Sequence, residues 1–270
     1  MSRRRLVTTG RHLRLWNQCL TQAVRRDLQF RTQALTTAVT AVVDLALAVV
    51  PVLILTHATG RRGGWSGPLS IAVVGAYGLG SSLIDCFVAP NLRRMDSYVR
   101  RGDLDLVLIR PVCAPLYTAL RWIQPSELAG AFSGAALLLT GLHLAKQPVT
   151  GPAALAATAW LILGMLAYSL FWTNLSYLSF WLGSAEPVND IAVQLRGAGQ
   201  YPLPYYQRTA RLVFISIIPA GLIGTMPVAS IIGSVSWTWL ALAGCGCAVA
   251  AIVTLLHWKL ALMRYSSASS

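Results

Sequence analysis

Asp44 is the most informative ionisable residue, because it lies inside the otherwise nearly apolar run Ala38 to Val52. A carboxylate at the centre of a membrane-spanning helix costs about 2.5–3.5 kcal/mol on insertion scales, so it must face protein or water. Two readings stay open. Asp44 is either a polar or protonatable point on a path across the membrane, or a partner for a hydroxyl or for an Arg of another subunit. Asp85 lies near the end of a second apolar run, within reach of the interface, and is less informative. A longer run carries Tyr168, Phe171, Trp172, Tyr177, Phe180 and Trp181, mostly in its second half. An aromatic belt at the membrane surface accounts for them. In the alternative, a substrate-contacting wall, Tyr168 and Trp172 join Asp44 along the path.

Other chemistry is scarce. The phosphate-cradling pattern G-x-x-x-x-G-K-[ST] does not occur, so no ATP site of that kind is expected in this chain. His12, His57, His143 and His257 are scattered, and none has a second His at i+4. Cys19, Cys86, Cys113, Cys245 and Cys247 form no C-x-x-C pair and read as small apolar fillers. No Ser-His-Asp arrangement can be argued. The expectation is a chain that is not itself an enzyme and holds no metal or cofactor.

Two polar stretches carry more information. The stretch 91–124 contains Arg101-Gly102-Asp103-Leu104-Asp105-Leu106-Val107-Leu108-Ile109-Arg110-Pro111. Gly102-Asp103 predicts a turn, with Asp103 capping a short helix over the following leucines. Such a folded loop either offers an apolar face to a soluble partner or packs on the ends of its own spans. Near the N-terminus, Leu13, Trp16, Leu20, Val24 and Leu28 recur at helical spacing, with Arg14, Gln18, Gln22, Arg25 and Gln29 on the remaining arc. That pattern suits an amphipathic helix in the membrane interface.

The elements that must position these residues follow from hydropathy. Of 270 residues only 11% are charged, against roughly 25% in a soluble domain. Six stretches are long enough to cross the hydrocarbon core: Leu35–Thr56, Pro68–Val88, Leu128–Ala145, Pro152–Leu182, one within Leu212–Gly233 and one within Trp237–Met263. The runs are continuous rather than alternating, which favours helices over barrel strands. The expected fold is an all-α integral membrane protein with about six spans and an N-terminal interfacial helix. Pro202 and Pro204 predict a fixed bend before the fifth span. That span is itself interrupted by Pro219, Gly221, Gly224 and Pro227, with an expected end near Gly224 and a re-entrant segment beyond. The net charge of +13 is explained by topology rather than nucleic acid. Nineteen of the 22 basic residues fall on one side of the six-span layout, and the other side holds Arg61, Arg62 and Lys146. The positive-inside rule then puts both termini in the cytoplasm.

The chain resembles the ABC-2 type permeases, the membrane subunits of a class of bacterial ABC exporters. The likeness is carried by Arg101 to Pro111, by Gln200-Tyr201-Pro202-Leu203, by Ile218-Pro219 with Met226-Pro227-Val228-Ala229, and by Trp258 to Tyr265. The sequence departs from the family's pattern at Arg196 to Gln200, where Gln200 stands in place of a basic residue before Tyr-Pro. The resemblance implies a subunit of an ATP-driven exporter of a drug, peptide or lipid-like substrate in the bacterial cytoplasmic membrane. It implies two cytoplasmic ABC ATPase subunits, which supply the ATP and Mg site, and a second permease chain, identical or different. It also implies that the loop holding Gly102, Asp103, Leu104, Asp105, Leu106, Leu108, Arg110 and Pro111 docks on the ATPase. The layout is a cytoplasmic segment 1–33, a membrane domain 34–263 with its coupling loop 91–124, and a tail 264–270. A secondary transporter or a non-transport scaffold are the rival readings. The first requires an internal repeat and intramembrane ion ligands.

Overall fold

The structure, a computed structural model, describes residues 20–59, 65–109, 114–182, 184 and 186–265. Arg110, Pro111, Arg61, Arg62 and the first part of the N-terminal helix lie outside the described residues. Among the described residues there are helices and no strands. In chain order they are α1 (20–29), α2 (Arg31–Thr59), α3 (Gly67–Phe87), α4 (Ala89–Leu92), α5 (Met95–Arg100), α6 (Asp103–Leu108) and α7 (Ala114–Leu120). There follow α8 (Leu128–Leu144), α9 (Gly151–Tyr177), α10 (Ser179–Leu182), α11 (Glu186–Arg196), α12 (Arg208–Ser216), α13 (Gly221–Ile231) and α14 (Trp237–Arg264).

Five segments are long and apolar enough to cross a membrane: Arg31–Ile54, Gly67–Phe87, Pro125–Leu144, Gly151–Leu182 and Trp237–Arg264. They coincide closely with five of the six stretches read from hydropathy. The sixth is the pair α12 and α13, which bend by 100° at their junction. The break falls at 217–220, where Pro219 has no N–H to donate, and not near Gly224 as expected. Gly224 instead sits inside α13, which is almost wholly buried. At 1.5 Å per residue α13 is about 16 Å long, roughly half the hydrocarbon thickness.

The spans pack through small residues, as membrane helices do in the absence of a hydrophobic drive between them. A Cβ on Gly75 would collide with the backbone of Leu138, and one on Gly134 with the backbone of Leu79 and Gly78. α3 and α8 therefore meet backbone to backbone. α9 and α14 are joined by Asn174, whose Nδ2 donates to Thr254 Oγ1 at 2.7 Å and whose Oδ1 lies 2.9 Å from His257 Nδ1. α2 stays peripheral, with Leu35, Val39, Leu47 and Ile54 exposed.

The stretch between the fourth and fifth spans, where the prolines predict a fixed bend, does not lie outside the bundle. It folds into the bundle. Asn189, Ala192 and Arg196 of α11 are buried at helical spacing. Further on, the Leu203 N–H donates to Thr225 Oγ1 at 3.1 Å, and the Tyr205 hydroxyl lies 2.8 Å from Ser70 Oγ near the start of α3. Asp85 lies 15 residues beyond Ser70 on α3, about 22 Å along the helix axis. The segment from Arg196 to Tyr205 thus covers most of the length of α3.

Candidate functional site

At the end of α3 that bears Phe87, the chain builds a small folded layer. Asn91 anchors it: Nδ2 donates to the carbonyls of Phe87 and Trp122, both at 2.8 Å, and Oδ1 accepts the Trp122 N–H at 2.7 Å. Gly102 adopts φ 72°, a left-handed conformation that favours glycine, and turns the chain from α5 into α6. Gly102, not Asp103, occupies the cap position. Asp103 and Asp105 lie in the first turn of α6, where a carboxylate is favoured by the helix dipole.

α6 divides its apolar residues between two faces. Leu104 and Val107 are buried with Met95, Tyr98, Tyr177, Phe180 and Trp258. Leu106, Leu108 and Ile109 are 58%, 41% and 79% exposed. The two sequence readings of this loop therefore apply to different residues: Leu104 packs on its own spans, and Leu106 and Leu108 point away from them. Tyr265, just past α14, is drawn into the same cluster. Burial, with the nearby Asp105 and Asp103 carboxylates, pushes its phenol pKa up.

A second feature is a polar cavity of about 390 Å³ bounded by α2, α3, α4, the 125–127 turn and α11. Asp44, Asp85, Glu127, Arg93 and Arg196 line it, with Thr37, Thr40, Ser81 and Ser82. Asp44 is not an isolated deep charge. It is exposed on α2 and faces this cavity. Arg196 is one of the nineteen basic residues on the richer side of the layout, but its side chain is 5% exposed and its Nη2 sits 2.6 Å from Asp85 Oδ2. It therefore carries no vote in the positive-inside count. Asp85, 22% exposed, meets it at the wall of this cavity, two residues before the end of α3.

Tyr168 and Trp172 are placed elsewhere. Both have no exposed surface, and neither lines the cavity. They hold α11 in position: the Tyr168 hydroxyl donates to the Ala192 carbonyl, and Trp172 Nε1 donates to Asn189 Oδ1 at 2.9 Å. Ser176 Oγ donates to the same Asn189 oxygen at 2.8 Å. The Arg196 guanidinium lies 5.6 Å from the Trp172 ring centroid. The Asp85–Arg196 pair was missed in the sequence, because 110 residues intervene and both partners look like span-end charges. A signal was available in α11, whose Asn189, Ala192 and Arg196 share one helical face.

The five apolar spans, the bent α12–α13 pair and the folded layer at one end define a multi-pass α-helical membrane protein. The family model described as ABC-2 family transporter protein matches residues 42–269. The chain belongs to the ABC-2 transporter family, as a transmembrane permease that works with an ABC ATPase subunit. No curated protein and no solved structure matches it.

Proposed function

We propose that this chain is the permease subunit of an ATP-driven exporter in a bacterial cytoplasmic membrane. Both termini and the layer 88–124 face the cytoplasm. Two ATPase subunits hold the ATP and Mg, and a second permease chain completes the pathway. The single observation that carries the coupling reading is α6: a short helix fixed to the spans by Leu104 and Val107 while Leu106, Leu108 and Ile109 stay exposed. Clustered exposed apolar residues are a liability in water, and burial in an interface resolves it. The flanking charges orient docking more than they strengthen it.

A contiguous route leads from α6 to the cavity. Leu104 and Val107 pack with Tyr177 and Phe180. Ser176 and Trp172, on the last turns of α9, hold Asn189 of α11, and Arg196 at the end of α11 meets Asp85 at the cavity wall. Movement of α6 by the ATPase would reach α11 through packed contacts and shift one wall of the cavity. Asp44 would serve there as a polar contact for the substrate, which is a drug, peptide or lipid-like molecule.

The test replaces Leu106 and Leu108 with Ser and leaves Leu104 intact. The expected result is loss of ATPase association, or ATP hydrolysis that no longer responds to substrate, in a chain that still inserts. Normal association with normal substrate stimulation refutes the assignment of α6, and the 197–206 segment becomes the next candidate.

A further inference from the structure

Two arginines stack on one tryptophan at the end of the bundle that carries α4 to α7, and a third is tied to the residue that follows it. The Arg94 guanidinium stacks over the Trp122 ring at 3.7 Å, and that of Arg121 lies 4.9 Å from the same ring. Arg121 Nη1 and Trp122 Nε1 both donate to the Tyr98 hydroxyl at 3.4 Å. Arg26 of α1 donates from Nη2 to the Ile123 carbonyl at 2.7 Å. The Arg94 and Arg121 guanidiniums are thus held by aromatic rings and a hydroxyl.

Among the described residues Arg26 also meets a carboxylate, Asp27, 3.8 Å from its Nε, and Asp27 accepts the Ser126 N–H at 3.0 Å. Asp27 is therefore already engaged by Arg26 and by the Ser126 N–H. Burial and the like charges of Arg26 and Arg121 lower the Arg94 pKa, which fits a cluster short of counter-charge. Arg94 is nevertheless exposed, so an anion can reach it.

The same place has an apolar flank. Ala23 of α1 packs on Cys86 and Ile123, which leaves Leu20, Val24 and Leu28 exposed on the outer side of the helix. A helix with this division lies in the interface with its apolar side in the acyl region. A ligand for the whole site must carry an oxyanion at the Arg cluster and hydrocarbon along α1. Guanidiniums suit phosphate oxygens in particular, because their planar fork can donate two parallel hydrogen bonds.

We propose that Arg94 and Arg121, stacked on Trp122, and Arg26, tied to Ile123 beside them, form a binding site for the phosphate of an anionic membrane phospholipid whose chains run along the exposed side of α1. The inference rests on this chain being a membrane protein and does not depend on the direction of transport or on α6. General basicity at this end would instead attract anionic lipid without preference among arginines.

The test uses the purified full chain in uncharged detergent and counts bound lipid by native mass spectrometry, comparing phosphatidylglycerol with phosphatidylcholine. Wild type should favour phosphatidylglycerol. Each juxtamembrane arginine is worth about fivefold, so Arg94→Gln should weaken the preference by about that factor and Arg94→Gln with Arg121→Gln by about twenty-five-fold. Arg100→Gln with Arg101→Gln removes equal charge from the same segment and should leave the preference intact. Arg94 is exposed, so its single variant tests the site even if the double variant does not fold. The proposal fails if Arg94→Gln changes nothing, or if the Arg100 and Arg101 pair has the same effect as the Arg94 and Arg121 pair. It fails equally if excess inorganic phosphate displaces the lipid, which would make this a site for free phosphate.

Discussion

Removing one member of the Asp85–Arg196 pair should harm the protein far more than removing both. The partners meet at 2.6 Å, and the Arg196 side chain is 5% exposed against 22% for Asp85. Removing one member of a buried pair typically costs about 3–5 kcal/mol because the other charge stays buried and unpaired. Replacing both with apolar side chains of similar volume is often near neutral. Asp85→Leu strands the more deeply buried charge and should fall at the upper end. Arg196→Met leaves a carboxylate that borders the polar cavity, where water can reach it, and should cost less. At roughly 2–4 °C per kcal/mol, the single variants should lose about 6–20 °C in apparent melting temperature. The double variant should recover most of that loss. Thermal challenge of the detergent-solubilised chain, read by fluorescence-detected size exclusion, measures all four species. If the two losses simply add in the double variant, the pair has no coupling energy and the reasoning is wrong.

Leu104→Ser puts a hydroxyl at a fully buried position and should lower the yield of folded chain, by about 3 kcal/mol on the scale of core truncations, whereas Leu106→Ser should leave the yield unchanged. Size-exclusion recovery of the two variants compares them. Asp44→Asn should keep expression and change transport or complex assembly, since Asp44 faces the cavity rather than the packed core. Transport and co-purification both at wild-type level would reduce it to a tolerated passenger. Gly134→Leu should separate α3 from α8, because even a Cβ there meets the Leu79 backbone, and a protease-sensitive or absent product is the expected readout. A single cysteine at position 146 should react with an impermeant thiol reagent from outside the cell, and labelling only from inside would invert the topology.

Five of the spans were legible because lipid demands about 20 apolar residues in a row and little else does. The resemblance to the family rested on short patterns, and the match over residues 42–269 bears it out. The fifth apolar stretch was legible only as an interruption. Prolines and glycines announced broken backbone between Pro202 and Pro227, but where the break fell depended on which pieces the neighbours bury. Pro227 sits within a helix, and Pro219 sits at its start. Arg196 shows the same limit in charge. By composition it belongs with the loop basics, and only the fold brings it to Asp85. α6 shows it in hydropathy, since Leu104 and Leu106 are alike as residues and differ only in the face of a six-residue helix they occupy. In lipid every backbone polar group must be satisfied by protein or by water in a cavity, so a helix pair broken at membrane depth has to be wrapped. Here α3 and α9 wrap it, closing on glycines such as Gly80 and Gly164. The irregular segment was therefore visible in the sequence at the point of fracture, and the surrounding small residues that make the fracture tolerable became visible only in three dimensions.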